Sequence, residues 1–237
     1  MKSTLTCLFV FIWLYSSSQK RDTILILPGS KFLKTDRLHN YNATYNFFNY
    51  PDGQEKKIGS LEDRFLLKEN DTRGLRVCSI VFGTNNILDS GLCSLHGLAP
   101  VYHRSVQTKK NMSLTFSNDK VTGTVTMKDG TNKVDAIDQP TPSPLFDSFY
   151  EDILAMTIEI ENRKLFRFPE YIYEKGGEVW SVGEILKGNT ANERIVKFYE
   201  LNSKREIVRT TTYIVNQSTW KILQREYAMG ANRIVMK

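Results

Sequence analysis

Apolar and polar residues alternate with period two along most of the chain. Met112, Leu114 and Phe116 stand against Ser113, Thr115 and Ser117, and beyond a Ser117-Asn118-Asp119 turn Val121, Val125 and Met127 alternate with Thr122, Thr124 and Thr126. Successive side chains of a strand point to opposite faces, so this is the pattern of half-buried β-strands. Asp129-Gly130 then gives a hairpin signal leading into residues 134–137. Upstream, the runs 41–50, 58–67, 75–82 and 87–95 are parted by Pro51-Asp52-Gly53, by residues 70–74 and by Gly83-Thr84-Asn85-Asn86, all turn-forming sequences. Downstream, the runs 165–173, 179–186, 195–201, 206–215 and 220–229 alternate with turns at 175–177, 188–189, 202–203 and 216–218. Strands at such short, regular spacing predict a sandwich or a barrel, and a meander is the economical topology.

The pattern breaks at Gln139-Pro140-Thr141-Pro142-Ser143-Pro144, because three prolines cannot sit in a central strand. Ser143 then suits an N-cap with Pro144 at the first helical position, and Phe146, Phe149, Tyr150, Ile153 and Leu154 recur at helical spacing. Asp147, Glu151 and Asp152 fall in the early turns, where the helix dipole favours acids. The spacing predicts one helix over 144–158. The fold class expected is mainly β: an antiparallel meander forming a curved or incomplete barrel around one central α-helix.

The first residues add a compartment. Lys2, the apolar stretch 5–15 and the small residues Ser16, Ser17 and Ser18 read as a secretory signal peptide over 1–18, leaving a single β-rich domain over 19–237. The apolar stretch is far short of the roughly 20 residues that cross a bilayer. The expected location is therefore secreted or periplasmic, with the chain soluble after signal removal. Cys78 and Cys93 then meet an oxidising environment; with Asn85-Asn86 as a two-residue hairpin turn they lie opposite each other, and a disulfide can form. Sequons stand at Asn42, Asn70, Asn111 and Asn216, of consequence only in a eukaryotic secretory pathway.

Composition narrows the chemistry further. The formal charge is +6, with Lys and Arg interleaved among Asp and Glu, so nucleic acid is not the expected partner. No HExxH, CxxC, GxSxG or phosphate-cradling glycine loop is present, and no cofactor, metal or catalytic residue is assigned. Among the three histidines, His96 and His103 flank the Gly97-Leu98-Ala99-Pro100 turn, while Glu62 and Asp63, or Glu159 and Glu161, are the nearest thing to a carboxylate dyad. Each pair is more simply read as solvated. Aromatic residues are plentiful, and Phe146, Phe149, Tyr150, Ile153 and Trp180 are the candidate ligand-binding residues of an apolar pocket.

The export signal, the long antiparallel meander, the helix after a Pro-rich crossover and the strand-turn-strand units ending in Arg, such as 98–104 and 219–225, resemble the LolA/LolB-like lipoprotein-carrier superfamily. They are also similar to the exported half-barrel domains of unknown function related to it. The resemblance implies a curved sheet around an apolar cavity that holds acyl chains, with the helix lining or plugging it. The expected function is thus a non-enzymatic binding protein for an apolar or lipid-like ligand. A structural or interaction protein of the envelope with a filled core and a protein partner, and a hydrolase with an unrecognised site, stand beside it.

Overall fold

The computed structural model describes residues 23–131, 133–141, 143–202, 204, 206–229 and 232–237; the expected signal peptide lies outside them. The strands are β1 (Ile24–Leu25), β2 (Tyr41–Asn49), β3 (Lys56–Lys68), β4 (Arg73–Phe82), β5 (Asn85–Ser94), β6 (Pro100–Gln107), β7 (Lys110–Phe116), β8 (Lys120–Met127) and β9 (Val134–Pro140). They continue with β10 (Phe146–Asp147), β11 (Leu165–Ile172), β12 (Gly177–Lys187), β13 (Glu193–Leu201), β14 (Ile207–Asn216), β15 (Ile222–Met229) and β16 (Asn232–Met236). One α-helix, α1 (Glu151–Thr157), interrupts them. Among the described residues no helix is long and apolar enough to cross a membrane.

Two antiparallel meanders, β2 to β9 and β11 to β16, are sewn into a single sheet where β16 pairs with β2 through Val235 and Phe48. The expected curved, incomplete barrel is what forms. Closure is blocked at β11, whose outer edge is taken by two short parallel partners, β1 at Phe166 and Arg167 and β10 at Glu170 and Tyr171. Side chains span the remaining gap: the Tyr171 hydroxyl donates to Gln139 Oε1 of β9 at 2.8 Å, and Tyr171 packs edge-on against Phe116 at 5.8 Å. Asp135, Asp138 and Pro140 on the edge strand β9 oppose the addition of another strand.

Inside the curve lies α1, buried over all seven of its residues, acids included. Its apolar side chains Ile153, Leu154 and Met156 join Phe166, Phe168, Phe198, Tyr213 and Val215 of the sheet in the main core. Arginines hold both helix ends. Arg76, Arg209 and Arg225 reach Glu151 and Asp152 in the first turn. At the other end Arg194 Nη1 donates to Ile158 O at 2.7 Å, and its Nη2 donates to Ala155 O at 2.6 Å and Met156 O at 3.0 Å. Those are carbonyls that a helix leaves without internal partners, and a cation there also meets the negative end of the dipole. Burial, and then the nearby Arg37, pull the Arg194 guanidinium down to about 9, so it stays charged at neutral pH. Arg194→Met should therefore cost about 2–3 kcal/mol in urea denaturation, from carbonyls left buried and unpaired. A loss below about 0.5 kcal/mol would show that water replaces the guanidinium at no penalty.

Two sequence expectations are corrected here. The helix is shorter than 144–158, because Phe146 and Asp147 are captured as an extended pair beside β11 and Ser148–Tyr150 form a 3-10 turn capped by Asp147 Oδ1, which accepts from Phe149 N at 3.1 Å. Pairing with the sheet and burial of Phe146 outweigh the helical spacing. Second, Cys78 and Cys93 are free, buried thiols. The hairpin turns at Gly83-Thr84, where Gly83 takes φ +60°, and Phe82 pairs with Asn85. That register sets Cys78 opposite Asp89 and Cys93 opposite Gly74, four positions or about 13 Å apart along the strand.

Candidate functional site

Three successive rungs of side chains cross the concave face of β3 to β7. The first is Phe65, Arg76, Gly91, His103 and Leu114; the second is Asp63, Cys78, Asp89, Ser105 and Met112; the third is Leu61, Ile80, Ile87 and Gln107. Gly91 is the gap in the first rung. A Cβ there would lie 2.6 Å from the Tyr150 hydroxyl and 3.0 Å from Phe149, so only glycine lets the segment before α1 press onto the sheet. Phe149 fills the gap, with the Arg76 guanidinium 4.8 Å and the His103 ring 4.6 Å from its centroid.

Around Arg76 the interior is ionic. Its Nε and Nη2 bind the two oxygens of Asp63 at 3.0 and 2.9 Å, its Nη1 binds Asp152 Oδ1 at 2.6 Å, and it also donates to the Phe149 carbonyl. The Tyr41 hydroxyl and the Cys78 thiol donate to Asp63 as well, at 3.1 and 3.2 Å. Burial works to raise the Asp63 carboxyl, but Arg76 outweighs it and holds the group below the usual carboxylate range. Burial likewise works against the Arg76 charge, and Asp152 and Asp63 reverse that. Arg225 of β15 stands further off, 3.4 Å from Asp152 and 3.5 Å from Glu151.

Between these groups and β7 opens a cleft of about 260 Å³. Leu61, Ile80, Met112, Leu114 and Phe149 give it apolar walls, and Arg76, Arg225, His103, Asp89, Asp147 and Glu174 line it with charged and ionisable groups. His103, 7% exposed, has Nδ1 3.0 Å from Asp147 Oδ2. Burial disfavours the imidazolium, yet Asp147 beside it raises the His103 pKa overall. Burial pushes the Asp89 carboxyl up. Among the described residues, both ring nitrogens of His103, Asp147 Oδ2, Asp89 Oδ1 and Arg225 Nε are buried without a hydrogen-bond partner. Ile80 and Gln107 also border a second hollow of about 450 Å³, with Phe82, Ile87 and Lys109, at the ends of the β4–β5 and β6–β7 hairpins.

Of the aromatic and apolar candidates read from the sequence, Phe149 lines this cleft. Phe146, Tyr150 and Ile153 pack in the main core, and Trp180 lies on the outer face, 40% exposed with Arg167 over its ring at 5.1 Å. The histidines separate: His96 is exposed on a turn, whereas His103 faces inward. Glu159 and Glu161 are exposed, and Asp63 is buried while its neighbour Glu62 is not. Sequence reasoning missed Arg76, Asp89 and Asp147. The signal for the first was its phase: within the run 75–82, Arg76 shares a strand face with Cys78 and Ile80.

Fold and site together define an open, curved antiparallel sheet that encloses a short helix and an amphipathic cleft. The chain belongs to the family described as protein of unknown function (DUF3108), whose model matches residues 40–232. No curated protein and no solved structure matches it.

Proposed function

We propose that the protein is an exported, non-enzymatic binding protein that holds a lipid-like ligand in the cleft over β3 to β7, much as LolA/LolB-like carriers hold acyl chains. The observation that carries this reading is the cleft itself, walled by Leu61, Ile80, Met112 and Leu114 and sharing Ile80 with a second hollow at the hairpin ends. A pocket that combines apolar walls with polar and charged groups suits ligands that have an apolar body and a polar head. Export rests on the signal-like residues 1–18. Native mass spectrometry of protein purified from its source should show a co-purified lipid. Ile80→Glu should cut uptake of an apolar fluorescent probe at least about tenfold, because a carboxylate at the mouth is poorly tolerated beside an acyl chain. Its effect on stability should stay near 1 kcal/mol, since Ile80 is only half-buried. Wild-type protein that carries no lipid and takes up no probe would end this reading.

A second reading is favoured by one observation, the 3.0 Å approach of Asp147 to His103 at the edge of a cleft. A histidine oriented by a carboxylate is the arrangement of a general base, so a hydrolase is the alternative. Turnover of short-chain aryl esters that vanishes in His103→Gln would favour it over the carrier.

A further inference from the structure

We propose that the cleft takes a single-chain amphiphile with an anionic head, a carboxylate or a phosphate monoester, seated between His103 and Arg225. This rests on the binding reading above and adds the chemistry of the head group. Among the described residues, five buried side-chain polar atoms that border the cleft have no hydrogen-bond partner, Arg225 Nε, Asp89 Oδ1, Asp147 Oδ2 and both ring nitrogens of His103, so a ligand that pairs with them recovers energy that the empty protein forgoes. Arg225 Nε is a donor in every state, and His103 Nε2 is one when the ring is an imidazolium with Nδ1 turned to Asp147.

Arg76 is excluded as the head-group receptor, because Asp63 and Asp152 already occupy its guanidinium at hydrogen-bond distance. Arg225 is less tightly held: it reaches Asp152 at 3.4 Å and Glu151 at 3.5 Å, and its Nε has no acceptor. Asp89 lies one rung from His103 on the adjacent strand. Burial disfavours the charged form of its carboxyl. The head therefore meets two donors, Arg225 and His103, and charge-assisted bonds to carboxylate or phosphate oxygens are the strong ones. Ile80 and Gln107 border both the cleft and the second hollow, so the acyl chain is placed along Leu61 and Met112 towards Ile80, Ile87 and Phe82.

Calorimetric titration of the full chain with laurate, dodecyl phosphate and dodecanol tests this. Both anions should bind at least about tenfold tighter than the alcohol, and the tighter of the two identifies a fatty acid or a phosphate as the head. His103→Gln, which keeps the size of the side chain, should weaken the anions about tenfold and leave dodecanol unchanged. Equal affinity for all three ligands, or an equal loss for all three in the variant, overturns the head-group assignment while the binding reading stands. Failure of all three to bind overturns both. Circular dichroism establishes whether the variant folds; if it does not, the comparison of the three ligands on the wild-type chain decides.

Discussion

Arg76→Met is expected to lower the unfolding free energy by about 3–5 kcal/mol, the range seen when one partner of a buried ion pair is removed. Arg76 is 3% exposed and holds Asp63 and Asp152, both equally buried, across the junction of β3, β4 and α1. Methionine replaces the aliphatic stem but leaves two carboxylates facing each other in the interior. The sign of the pH dependence follows from Asp63, whose folded pKa is depressed. Its contribution is present above the unfolded carboxylate pKa and is lost as pH falls through the folded value. Arg76→Met removes that contribution, so the gap between variant and wild type should narrow in acid. Adding Asp63→Asn and Asp152→Asn to Arg76→Met should restore part of the loss, because the uncompensated charges go with them. Urea denaturation of the single and triple variants measures this; a single-variant loss below about 1 kcal/mol would mean that water reaches the carboxylates.

The strand pattern was legible because a sheet with one buried face writes its register into the sequence with period two. Residues 112–116 and 121–127 read as strands and became β7 and most of β8. The helix was misread at its start, since Phe146, Phe149 and Ile153 keep helical spacing even though Phe146 is held in β10 by pairing that depends on β11, some twenty residues later. The cysteine pairing failed for a related reason: whether the turn lies at Gly83-Thr84 or two residues on, at Asn85-Asn86, moves every cross-strand partner, and both dipeptides are turn formers. The cleft was the least legible part. Asp152 carries the ordinary meaning of an acid at a helix start, and only the fold brings it to Arg76, Asp63 and Arg225. His103 looked like one more polar residue of an alternating strand until Asp147 closed over it.

Glu170→Gln should flatten the alkaline side of the stability profile. Glu170 of β11 is 1% exposed; Ser181 donates to its Oε1, and Oε2 has no partner among the described residues. Burial, and then the charge of Glu151, push its carboxyl up to about 8. The folded-state pKa is thus raised above the ordinary value of 4.5. Its stabilising contribution is complete below the unfolded pKa and is lost as pH rises through the folded one. Wild-type stability should therefore decline between those two limits, and Glu170→Gln, which can still accept from Ser181 and never ionises, should lack that decline. At the upper limit the difference should be about 4 kcal/mol, measured as urea midpoints over a pH series. Parallel profiles for the two proteins would show that Glu170 is ionised throughout. The consequence reaches the cleft, because an ionised Glu170 repels Glu151 at the first residue of α1, two positions after the Phe149 ring that walls it. Under the proposed binding function, uptake of the apolar probe by the wild type should weaken with alkaline pH along with stability, and Glu170→Gln should reduce that weakening.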